Sequence, residues 1–308
     1  MQYYNECVAG LPIHGVIASV VTPFRPDERI DYTAWQRVLE SGVAAGVNGI
    51  LALGLAGEFN ALSEEERVVA LRFCRQNTPA GRTLLWGNVT SGSLRQSLRL
   101  AVAAEADSLD GIVLMPPPFP LLSEEEMEEY LGELCRAVRI PVLACFDPRW
   151  SKLRLRGGTL RRLFGGCENF AGCLDAFAIE SGFDPQTTIP ANDVQLLRAL
   201  RAGATAIVSE CAGLSPRLAV ELFKAVRAGR DEDSSQLAAV LEPVAAQIQR
   251  HTLPSVLKLA LESAGVGPAV CRRPVSEVPE PLRTELLPLF EAMWTRGGRP
   301  GSEVLSRA

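Results

Sequence analysis

The chain has 308 residues, 47% of them apolar, and a net charge of -5. A chain of this size can bury roughly 75% of its unfolded surface around one large core, and its acidic balance argues against a nucleic-acid or polybasic membrane role. No apolar run reaches the ~20 residues that span a bilayer, and Asn5, Glu6 and Cys7 do not open a secretory signal. A soluble cytoplasmic protein is therefore expected.

Apolar strand-like runs alternate with amphipathic stretches almost to the end of the chain. A first strand over Gly15 to Val21 precedes a helix from near Tyr32. The second strand, Gly49 to Leu53, contains the run Ile50-Leu51-Ala52-Leu53, which suits burial on both faces. Next comes GLAGEFNALSEEER (Gly54 to Arg67), where Gly54 and Gly57 allow a tight turn close to a ligand. Ser63 with Glu64, Glu65 and Glu66 reads as a capping box at the start of a helix. Strands follow over Thr83 to Gly87, Gly111 to Met115, Val142 to Phe146 and Phe170 to Leu174, with helices from near Leu94, Ser123 and Thr159. Ala176 to Pro190 is too short for a full helix and a strand, which predicts a shortened or missing sixth helix and a weak strand near Thr187 to Pro190. A helix from near Asp193, a strand over Ala206 to Glu210 and a helix from Pro216 complete the alternation.

Strict alternation signals a parallel sheet, and eight strands suggest a closed one. The expected fold class is α/β, a TIM (β/α)8 barrel over residues 12–230 with a C-terminal helical extension of about three helices over 231–295. Residues 296–308 are polar and Gly-rich and read as a flexible tail. An open doubly wound sheet is the rival, but no GxGxxG follows the first strand.

The eight cysteines include no CxxC pair and read as reduced core thiols. His14 and His251 are the only histidines, so a His-rich metal site is excluded, and nothing calls for a cofactor. Lysine occurs only at 152, 224 and 258, which limits any mechanism that needs an amine.

Several segments then fall into a known order: GVIASVVTPF (Gly15 to Phe24), GLAGE (Gly54 to Glu58), MPPPF (Met115 to Phe119), IPVLACFDP (Ile140 to Pro148), GCLDA (Gly172 to Ala176), AIVSECAGLSP (Ala206 to Pro216) and LPSVLKLALESAG (Leu253 to Gly265). Together, from about Gly15 to Met293, they resemble the dihydrodipicolinate synthase / N-acetylneuraminate lyase family of pyruvate-dependent barrel aldolases. The resemblance implies a Schiff base between a strand-six lysine and a 2-oxo acid, a reaction that needs a desolvated amine. At the matching position stands Leu174, which cannot make an imine. The family's relay tyrosine falls at Cys145, and its strand-two hydroxyl residue at Leu55, beside Ala56. Three members of one catalytic unit are replaced together.

Other residues are candidates for a rebuilt site. Glu210 shares strand parity with Val208 and is a candidate general acid or base, or else a rim carboxylate bound by amides or an arginine. Cys145 is a candidate nucleophile if a cation stabilises its thiolate, and otherwise an apolar filler beside Leu174. Arg149 stands where the resemblance places a carboxylate-binding arginine, and Gly54, Leu55, Ala56, Leu174 and Val208 complete the ligand-binding set. Lys152 could supply a relocated amine, or be a solvated loop residue. Lys224 and Lys258 are expected at the surface or snorkelling, Asp193 as the cap of its own helix, and Glu58 as a brace for its loop.

Three functions stay open: a barrel that binds a small carboxylated ligand without Schiff-base chemistry, a carbon-carbon lyase or hydro-lyase with a rebuilt site, and a non-catalytic oligomeric scaffold. The expected partners are that ligand and further copies of the chain, since the resemblance implies a homodimer or homotetramer. Pro118 and Phe119 replace an aromatic pair at the family's dimer contact.

Overall fold

The computed structural model describes residues 13–117, 119–147, 149–151, 153, 155–176, 178, 184 and 187–300. Eight parallel strands run in chain order: β1 Gly15–Ser19, β2 Gly49–Ala52, β3 Leu84–Asn88, β4 Gly111–Leu114, β5 Val142–Phe146, β6 Phe170–Asp175, β7 Thr188–Pro190 and β8 Ala206–Ser209. They pair in the order β7-β6-β5-β4-β3-β2-β1-β8, and β7 lies beside β8 to close the barrel. This is the (β/α)8 architecture expected from the alternating pattern.

Helices α1 (Tyr32–Ala45), α2 (Glu64–Gln76), α3 (Leu94–Ala106), α4 (Glu124–Ala137) and α5 (Gly157–Gly166) follow the first five strands. Their starts are set locally. Asp31 accepts from the Thr33 and Ala34 N–H groups, both at 3.1 Å, and Ser63 and Glu66 close the expected capping box at 2.9 and 3.2 Å. Ser123 and Glu126 form a second box at the start of α4. The segment expected to lack a full sixth helix falls mostly on residues outside those described, as do Pro118, Lys152 and residues 301–308.

Inward-facing side chains fill the barrel: Ile17, Leu51, Trp86, Val113, Leu143, Leu174, Ile189, Ala206 and Val208. Trp86 requires a glycine on the next strand, because a Cβ on Gly111 would lie 2.2 Å from its ring. After the last barrel helix, Pro216–Arg227, come three more, Asp231–Arg250, Leu253–Ser263 and Glu280–Gly297. The first of them packs on Pro216–Arg227 and on Glu280–Gly297. Arg299, just beyond the last helix, pairs with Glu291 at 2.7 Å. Among the described residues, no helix is long and apolar enough to cross a membrane.

Candidate functional site

The carboxyl ends of the strands form the mouth, where barrels of this type place their chemistry. Beyond β2 the chain turns sharply: Leu53 takes a φ of +56°, the Gly57 N–H donates to Gly54 O at 3.0 Å, and Thr22 Oγ1 donates to Gly57 O at 2.7 Å. A Cβ on Gly57 would approach Leu53 Cα to 2.8 Å, so this position needs glycine. The Leu55 and Ala56 N–H groups meet no backbone acceptor among the described residues. Gly54 and Leu55 line the inner mouth, whereas Ala56 is fully buried in the outer core.

At the centre lies a void of about 40 Å³, bordered by Leu51, Val113, Met115, Cys145, Leu174 and Val208. It has room for a few water molecules. Leu174 is 1% exposed and sits in register between Cys145 on β5 and Ile189 on β7. Burial raises the Cys145 thiol pKa well above its ordinary value, Asp147 adds to the rise and Arg149 opposes it. A thiol pushed up in this way is a weak nucleophile. Cys173, one residue before Leu174, packs outward into the helix-facing core, as does Cys211.

Beside this apolar centre stands a row of charges. Arg149 donates to Asp147 through Nε (3.0 Å) and Nη2 (2.5 Å), and to Glu210 through Nη2 (2.8 Å) and Nη1 (3.3 Å). Its guanidinium is therefore engaged by two carboxylates of the chain itself. Burial raises the Glu210 pKa to about 7; Arg149 pulls it down and Asp193 pushes it up. For Arg149, burial lowers the pKa but Glu210 and Asp147 outweigh it, so the group is held firmly charged. The row borders a recess of about 250 Å³ that also reaches Asn192, Asp193, Gln195 and Gln249.

Asp193 does not cap its own helix; Asn192 does, accepting from the Val194 N–H at 3.1 Å. Asp193 Oδ2 instead accepts from the Glu210 and Cys211 N–H groups at 2.8 and 2.9 Å. A buried carboxylate from the end of β7 thus fixes the backbone that carries Glu210. The motif ANDV shows a capping pattern, and nothing in its spacing reveals that Asp193 turns to the neighbouring strand.

Lysine is the other correction. Lys258 is 2% exposed rather than at the surface: it pairs with buried Glu58, donates to Val270 O at 2.9 Å and lies 3.8 Å from the Phe24 ring centroid. Burial lowers its pKa and Glu58 opposes the shift. Glu58 also accepts from the Arg272 N–H at 3.1 Å, so it braces the GLAGE turn against the C-terminal segment. Lys224 lies on the helix Pro216–Arg227. Among the described residues no lysine lines the mouth; Lys152 lies outside them.

A parallel barrel with a glycine turn, an inner void and a charged row at its carboxyl end defines a (β/α)8 protein. The chain belongs to the dihydrodipicolinate synthetase family, whose model matches residues 12–293. It is 27% identical over 285 residues to 4-hydroxy-tetrahydrodipicolinate synthase of Acidiphilium cryptum, covering 89% of this chain and 96% of that one. It is also 27% identical over 289 residues to the synthase of the same name from Methanopyrus kandleri, covering 90% and 95%. Among solved structures, dihydrodipicolinate synthase from Agrobacterium tumefaciens superposes with a TM-score of 0.84 at 23% identity, covering 92% and 98%. YagE from E. coli K12, a prophage protein of the family solved in complex with pyruvate, gives a TM-score of 0.82 at 24% identity, covering 91% and 98%.

Proposed function

We propose that this barrel binds a small carboxylated molecule of the 2-oxo acid class at its mouth and forms no imine with it. One observation carries this: Leu174, buried between Cys145 and Ile189, occupies the position where imine chemistry requires an amine. The complex of YagE with pyruvate supports the ligand class. With Arg149 engaged by Asp147 and Glu210, the ligand carboxylate falls to the Leu55 N–H group of the turn after β2, at the inner mouth. The rest of the molecule extends from the inner void towards the charged row.

A second function is favoured by Glu210, whose near-neutral pKa beside an open recess suits an acid-base group in amine-free lyase or hydro-lyase chemistry. Assembly into a cytoplasmic homo-oligomer is part of the proposal. Phe119 and Leu121, each 81% exposed in the loop after β4, are the apolar groups that such a contact would cover.

The test combines pyruvate with borohydride and intact-mass measurement. Binding without imine chemistry requires an upward melting shift with pyruvate and no mass adduct. A stable adduct on the native chain would overturn the proposal. Consumption of a 2-oxo acid that is lost in Glu210→Gln would establish the lyase instead.

A further inference from the structure

At the opposite end of the barrel, where β5 and β6 begin, two cysteines meet. Cys135 lies in the last turn of α4 and Cys167 is the residue that ends α5. The two helices are locked side by side: Arg162 donates to Glu128 at 2.5 and 2.8 Å, and Thr159 Oγ1 donates to Glu124 at 2.6 Å. Just past the cysteines, Asn169 Nδ2 donates to Val138 O at 2.8 Å and to Ile140 O at 3.1 Å. The chain segments that follow both cysteines are therefore pinned to one another, which holds the two residues at one recess.

Both cysteines line a recess of about 640 Å³. Arg136, Arg139 and Glu168 share it; Arg136 is paired with Glu133 at 2.8 Å, so Arg139 is the cation that the rim sets beside Glu168. Cys135 is 7% exposed, while Cys167 is half-buried and faces the recess. Burial pushes the Cys135 thiol up, and its neighbour Cys167 adds to the rise. The cysteine that meets solvent first is thus Cys167, and the sheltered one stands behind it.

We infer that Cys135 and Cys167 form an oxidisable dithiol that exchanges with a small anionic disulfide admitted by the arginine-rimmed recess. Cys167 loses its proton to solvent and attacks one sulfur of the reagent. The reagent S–S bond breaks, and the first thiolate leaves and takes up a proton. Cys135 then gives up its proton and attacks the Cys167 sulfur of the mixed disulfide, forming the Cys135–Cys167 bond and releasing the second thiol. The protein loses two electrons, and the reagent disulfide gains them as two thiols.

The experiment uses the full chain, reduced and then incubated anaerobically with glutathione disulfide. Non-reducing peptide mapping should find one linkage, between Cys135 and Cys167, with two thiols lost per chain. Cys135→Ser should stop at a mixed disulfide on Cys167, and Cys167→Ser should leave Cys135 unmodified. Failure to find the linkage in the native chain would overturn the inference, whatever the variants do. Glutathione disulfide should also react roughly three- to tenfold faster than neutral hydroxyethyl disulfide at low salt, with the ratio falling in Arg139→Glu. Equal rates for the two reagents would overturn the role given to the arginines.

Discussion

Glu210 Oε1 accepts a hydrogen bond from Arg149 Nη2 at 2.8 Å, joining the end of β8 to the loop after β5. Burial has raised the Glu210 pKa from 4.5 to about 7 despite this arginine. Between those two values the folded chain holds more of the proton than the unfolded chain does. The contribution of Glu210 is therefore fully present below pH ~4.5 and is lost as pH rises through about 7, a change of roughly 3 kcal/mol at most. Glu210→Gln should flatten that part of the stability curve, as measured by urea unfolding across the range. An unaltered slope would show that Glu210 does not titrate in this window.

Leu174→Lys would place an ammonium group in the apolar centre, beside Cys145 and Ile189. Desolvation should depress its pKa and destabilise the fold by roughly 2–5 kcal/mol. The same desolvation makes the amine nucleophilic, so a borohydride-stable adduct with pyruvate is expected in this variant. A folded variant without the adduct would mean that position 174 does not face the ligand.

Removing Lys258 leaves Glu58 buried without its cation. Breaking such a pair costs ~3–5 kcal/mol, so Lys258→Met should unfold at much lower guanidinium concentration. Adding Glu58→Gln should restore part of the loss, because the stranded charge disappears. Equal stabilities of the single and double variants would show that the two residues do not act as a pair.

Gly57→Ala sets a methyl group 2.8 Å from Leu53 Cα and 2.9 Å from Leu53 N, both backbone atoms that cannot swing aside. The turn must move, at a cost of ~1–3 kcal/mol. The Leu55 and Ala56 N–H groups would move with it. The melting shift produced by pyruvate should shrink or vanish in Gly57→Ala, while the far-ultraviolet circular dichroism stays that of a barrel.

Much of the fold was legible because it is written locally. Apolar runs such as Val142 to Phe146 match their strand exactly in length, and the Ser63–Glu66 box announces its own helix. The apolar character of the barrel centre at Leu174 was likewise visible in one short motif, and the register places that side chain in the inner core. Long-range polar pairing was not legible. Lys258 sits in the apolar run LPSVLKLAL, where helical periodicity alone gives no hint of a carboxylate waiting on the turn after β2. Arg149 looked available because its partner Glu210 stands 61 residues away, and Asp193 looked like a cap because its acceptor geometry depends on a neighbouring strand.

The brace between Glu58 and the segment 214 residues downstream has a bearing on biosynthesis. A nascent chain can pair β1 with β2 early, but Glu58 on the turn after β2 meets its partners only once Lys258 and Arg272 have left the ribosome. The brace behind that turn is thus completed only when translation is nearly finished, and a messenger truncated before those codons would yield strands without it.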